Sequence, residues 1–203
     1  PQITLDRGTA FERRRYDEAE NLVRRIERAQ AGNEAVRMIL DEESCHFDRL
    51  SGNHLGIVER LNPWIQRYPL SKYDTLTDEE ILFAVRWVYA TYLAAMATAG
   101  RYAEAEVGIE EFLNRVPFED SPGMVVDMNF WLAWTLHRQG RYDEAVVQYE
   151  IGLQLDGSDS PDIVLPDYFT KTGIPKGLTT NRKTFVHYYR NALAALGGWE
   201  AGR

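Results

Sequence analysis

Cys45, the only cysteine in the chain, stands next to His46. Nucleophilic catalysis would start from such a pair if the imidazole could take the thiol proton. Neighbouring residues on a helix point about 100° apart, so the two side chains cannot simply form an activated pair. Cys45 reads instead as a small core residue. His46, His54, His137 and His187 are scattered without metal-ligand spacing. The acid pairs Glu42-Glu43 and Glu110-Glu111 supply the two carboxylates that acid–base work needs, but on helices they read as solvated faces. Asp156, Asp159 and Asp162 beside Gly157 outline an acidic turn, because the spacing of a calcium loop and its terminal Glu are missing. There is no Gly-x-Gly-x-x-Gly, no phosphate-binding loop and no His-Glu-x-x-His. The expectation is a protein that is not an enzyme and holds no cofactor or metal.

Helices must position whatever does the work. Gly100-Arg101-Tyr102-Ala103-Glu104-Ala105 returns forty residues later as Gly140-Arg141-Tyr142-Asp143-Glu144-Ala145. Apolar residues at helical spacing follow each copy: Ile109, Phe112 and Leu113, then Val146, Tyr149 and Leu153. A helix-length stretch rich in Trp, Tyr, Leu and Ala precedes each. A fixed period of this size points to stacked helical hairpins. The glycine permits the left-handed backbone that ends a helix, the tyrosine fills the wedge between helices, and the alanine allows their close approach. Pro117 ends the second helix of the first copy. A degenerate third copy lies upstream, with Gly52 and Pro69 at the same seventeen-residue spacing as Gly100 and Pro117, and Cys45 at the small-residue position.

This arrangement resembles the tetratricopeptide repeat (TPR). The second copy matches through Leu132, Ala133, Gly140, Tyr142, Ala145 and Tyr149, and the first through Leu93, Gly100, Tyr102, Ala105 and Pro117. Ile109 replaces the usual aromatic, and Gly157 stands where the second proline belongs. The resemblance implies an all-α, TPR-like α-solenoid. Residues 1–32 form an N-terminal capping helix, 33–156 the repeats, 157–179 an extended loop, and 180–203 a C-terminal capping helix and tail. Helices are predicted over 9–31, 34–50, 54–67, 78–99, 102–115, 125–139, 142–155 and 180–196, with a capping box of Thr77 and Glu80.

The resemblance also implies that the first helix of each repeat lines a concave groove for a protein or peptide. The corresponding positions are Trp87 in the first repeat and Asp127, Phe130, Trp134, His137 and Arg138 in the second, with Trp131 alongside. The groove is aromatic with a cationic edge, unlike the Lys, Asn and Arg clamp of the family's chaperone-binding members. The loop residues Ile163–Phe169 either lie along it or form a surface loop that joins the last repeat to its cap.

Composition narrows the partner. With 23 Lys and Arg against 31 Asp and Glu, the net charge is −8. That balance argues against nucleic acid, whose phosphates demand a basic surface, and against anionic membranes. No stretch approaches the ~18 consecutive apolar residues of a membrane span. A reducing cytoplasmic location fits the single cysteine, and a homo-oligomer is compatible with the sequence. Two other classes remain open. One is a small-molecule site, with His137 available for proton transfer. The other is an acidic inhibitor or immunity-type protein for a basic target.

Overall fold

The computed structural model describes residues 32–155 and 182–196, which are helical throughout and contain no strand among them. The helices are α1 (Glu34–Glu43), α2 (His46–Ser51), α3 (His54–Arg67), α4 (Glu79–Thr98), α5 (Tyr102–Arg115), α6 (Pro122–Arg138), α7 (Tyr142–Leu155) and α8 (Arg182–Ala195). Two 3-10 segments, Leu70–Thr75 and Phe118–Asp120, join α3 to α4 and α5 to α6. The predicted helix over 9–31 and the segment Ile163–Phe169 lie outside the described residues.

Three turns share one geometry. Gly52, Gly100 and Gly140 have φ of 73°, 82° and 79°, and at each the amide just after the glycine returns to a carbonyl five residues back. Asn53 N–H reaches Asp48, Arg101 N–H reaches Met96 and Arg141 N–H reaches Leu136, at 2.8, 3.0 and 3.0 Å. This is the Schellman closure, in which a left-handed residue lets the chain reverse while satisfying the last carbonyls. The turn read from sequence at Gly100 and Gly140 is therefore present, and Gly52 carries it too.

Starts and interruptions depart from the sequence reading in instructive ways. Asp78, not Thr77, caps α4, its carboxylate accepting from the amides of Glu80 and Ile81 at 2.9 and 3.1 Å. The expected single helix 34–50 is broken into α1 and α2. Ser44 Oγ and Cys45 Sγ both donate to the Asp41 carbonyl, at 2.7 and 3.3 Å, and the backbone tightens there. α6 begins at Pro122, three residues earlier than expected, because a proline suits the first helical turn, where its missing N–H costs nothing.

Packing runs between successive helices. α4 contacts α1 and α3 on one side and α5 and α6 on the other, α6 packs on α5 and α7, and α8 lies across α7 and α6. This encirclement accounts for the composition of α4. It is the one described helix long and apolar enough to cross a membrane, which the sequence reading did not single out, and half of its 20 residues are buried. Ala105 and Ala145 are fully buried at the close approaches expected of them, and Ile109 and Tyr149 occupy equivalent sites in the core. Burial of a side chain such as Phe112 contributes roughly 3 kcal/mol. At Gly108 the Leu93 side chain of α4 packs directly on the α5 backbone, since a Cβ there would stand 2.5 Å from Leu93 Cδ2.

Candidate functional site

α6 places Asp127, Phe130, Trp131, Trp134, His137 and Arg138 within three turns, and the structure separates them by depth. Phe130 and Trp131 are buried at 3 % and 6 % exposure, Asp127, Trp134 and His137 are half-buried, and Arg138 is exposed. Phe130 and Trp131 therefore form the floor of the patch and offer almost no surface to a partner. Their rings meet edge to face at 5.6 Å, and Trp131 meets Trp134 in the same way at 5.5 Å.

The accessible part is built from three helices. The Arg138 guanidinium lies 5.7 Å from the centre of the Trp134 ring, within cation–π range. Its Nε donates to the Tyr102 hydroxyl at 3.3 Å, tying α6 to the first residue of α5. Tyr102 also sets its ring against Trp134 at 6.1 Å. From α8, Tyr188 packs against Phe130, Trp134 and His137 at 6.2, 6.5 and 6.1 Å. α8 thus covers one flank of the patch through Tyr188. Sequence reading missed Tyr188 and Tyr102 as members, although Tyr102 was conspicuous in the repeated turn.

His137 packs edge-on to Tyr142 at 5.2 Å. Burial, reinforced by the neighbouring Arg138 charge, holds its pKa below the ordinary value, so the ring is neutral at neutral pH. Its Nδ1 is buried with no hydrogen-bond partner among the described residues.

Trp87 belongs to a second patch. It is 38 % exposed on α4 and stacks on Phe83 at 6.1 Å, while its Nε1 donates to Glu42 Oε2 at 2.8 Å. Glu42 corrects the sequence reading, because it is 2 % exposed rather than solvated. It pairs with Arg49 and accepts from the Thr91 hydroxyl at 2.7 Å. Arg86 is likewise buried on α4. It reaches the Tyr73 hydroxyl at 3.3 Å and Asp120 at 3.6 Å, holding both 3-10 segments to one helix.

The remaining chemistry is sparse. Cys45 is fully buried and its thiol is pushed up to about 12, chiefly by desolvation, which removes the thiolate that a nucleophile requires. No cluster of three metal-ligating side chains occurs among the described residues. A cavity of about 580 Å³ between α3, α4 and α5 is lined by Leu70, Tyr89, Tyr92, Leu93, Met96 and Val107 among others. The Tyr89 hydroxyl on its wall is already committed, accepting from the Leu70 amide and donating to the Tyr68 carbonyl, both at 3.1 Å.

No protein-family model matches the chain, no curated protein matches it in sequence, and no solved structure matches it in fold.

Proposed function

We propose that the protein is a TPR-like interaction module that binds a protein or peptide on the face formed by the first helix of each hairpin, without catalysing a reaction. The observation that carries this reading is Arg138 laid over Trp134 and anchored by Tyr102. It is an accessible aromatic and cationic surface at a seam between hairpins, resting on the buried Phe130 and Trp131. Aromatic and arginine side chains on a rigid floor are the groups that dominate binding energy at protein interfaces. The chemistry suits a ligand segment that pairs an apolar side chain with a carboxylate. The shared turns at Gly52, Gly100 and Gly140 support the repeat assignment. The net charge of −8 supports a partner other than nucleic acid or an anionic membrane, and a cytoplasmic setting belongs to the same reading.

The test is affinity capture on the wild-type chain and on Trp134→Ala/Arg138→Ala, followed by calorimetry with the purified partner. A partner bound at least tenfold more weakly by the variant, with circular dichroism unchanged, is the expected result. Equal affinity for both baits overturns the assignment of this patch.

A further inference from the structure

The cavity of about 580 Å³ opens where α3 and α5 both pack on α4 and the first 3-10 segment packs on α5. Tyr89, Leu93 and Met96 of α4 line it and are buried, so its floor is apolar. None of Tyr102, Trp134 and Arg138 lines it, which separates it from the patch on α6. The wall from α5 is formed by Glu104, Val107, Gly108 and Glu111, which recur at three- and four-residue intervals and share one helical face. Gly108 adds no side chain to that wall, and Val107 beside it is 66 % exposed. The repeated hairpin does not dictate this composition. Forty residues on, Gln148 and Ile151 stand at the positions of Gly108 and Glu111, whereas the packing alanine Ala105 returns as Ala145.

The charge around the cavity has one sign. Glu104 and Glu111 line it, two helical turns or roughly 10 Å apart, and no Lys, Arg or His does. Glu104 is already held by Arg101, whose Nε donates to it at 2.8 Å. Glu111 is half-buried and has no basic partner among the described residues. The Tyr89 hydroxyl is committed to the Leu70 amide and the Tyr68 carbonyl, so it offers no free donor to an anion. An apolar floor beside an unpaired carboxylate selects a ligand that is apolar at one end and cationic at the other. We propose that the cavity binds a small organic amine, its apolar body on Leu93 and Met96 and its ammonium group paired with Glu111. The volume falls within the roughly 300–1,000 Å³ typical of small-molecule sites. Acids and phosphates are excluded by the same carboxylates.

The test is methyl NMR on the full chain, titrated near neutral pH with three probes of matched length: 4-phenylbutylammonium, 4-phenylbutanol and 4-phenylbutyrate. The amine is expected to shift the Met96 and Val107 methyls and to bind about threefold more tightly than the alcohol, the effect of one partly exposed ion pair. The butyrate is expected to bind most weakly. Glu111→Gln should bring the amine to the level of the alcohol and leave the alcohol unchanged. Ala103→Trp, at an exposed position on the cavity wall, should weaken amine and alcohol alike by at least tenfold. Met96 and Val107 methyls unmoved by millimolar amine overturn the proposal. So does an amine that binds no better than the butyrate, or one whose affinity is the same in Glu111→Gln or in Ala103→Trp as in the wild type.

Discussion

The indole of Trp87 donates a 2.8 Å hydrogen bond to a carboxylate, Glu42, that is almost wholly buried. The same carboxylate pairs with Arg49 of α2 and accepts from Thr91 of α4, so three elements are fastened through one side chain. Removing one member of such a group strands the others in a poorly solvating interior. Glu42→Ala is expected to lower the unfolding free energy by about 3 kcal/mol, with Glu42→Gln costing less because its amide oxygen keeps an acceptor for one of the two donors, Trp87 or Thr91. Urea denaturation followed by tryptophan fluorescence checks this, and a loss no larger than that of an exposed control such as Glu110→Ala would refute it.

Gly100 and Gly140 should be irreplaceable for backbone reasons alone. Nothing lies within 4 Å of a Cβ at either site, so the cost of Gly→Ala is the left-handed conformation, about 1–2 kcal/mol each. Gly123 has equally open surroundings but a helical backbone in α6. Gly123→Ala is expected to stabilise by roughly 0.5 kcal/mol. Denaturation midpoints should therefore move in opposite directions, and a shared direction would contradict the assigned turns.

Alkaline conditions should weaken the fold. Cys45 and Tyr89 have ordinary values of 9.0 and 10.0, and desolvation raises both to about 12 in the folded chain. Above pH 9 the unfolded chain therefore releases protons that the folded one keeps. This contribution to stability is whole below that pH and is lost as pH rises towards 12. Cys45→Ala is expected to flatten the first part of the decline, between about pH 9 and 10. An unchanged slope in that variant would show that the thiol does not contribute.

On the acid side the sign reverses. Desolvation lowers the pKa of His54 and His137 below the ordinary 6.5, and Arg138 adds to the effect at His137. As pH falls below 6.5 the unfolded chain takes up protons that these rings resist, so stability declines until the folded pKa is passed. Imidazole resonances titrating below that ordinary value would bear this out. A His137 midpoint at or above it would count against the buried position of the ring.

Much of the helical framework was legible because it rests on local signals. The Gly-Arg-Tyr turns fixed the ends of α4 and α6 and the start of α5 and α7 to within a residue. The Ser121-Pro122 start of α6 was not read, and the helix was placed from 125 instead of 122. Glu42 was illegible, since an acid pair on a helix ordinarily faces water and its partners Arg49, Trp87 and Thr91 lie 7 to 49 residues away. The depth ordering of Phe130, Trp131 and Trp134 was beyond pattern as well. All three fit the same helical face, and their depth depends on tertiary neighbours distant in sequence, such as Tyr149 of α7 against Phe130 and Tyr188 of α8 against Phe130 and Trp134.

The central position of α4 has a mechanical meaning. The packing that joins α1–α3 to α6–α8 passes through α4 and α5, so a load applied between the two ends is carried in series rather than shared in parallel. Each hairpin is then expected to peel as its own step, with the polar contacts at Glu42 and Arg86 among those that hold α4 to its neighbours. Pulled from its termini, such a chain yields a staircase of small extensions instead of a single rupture.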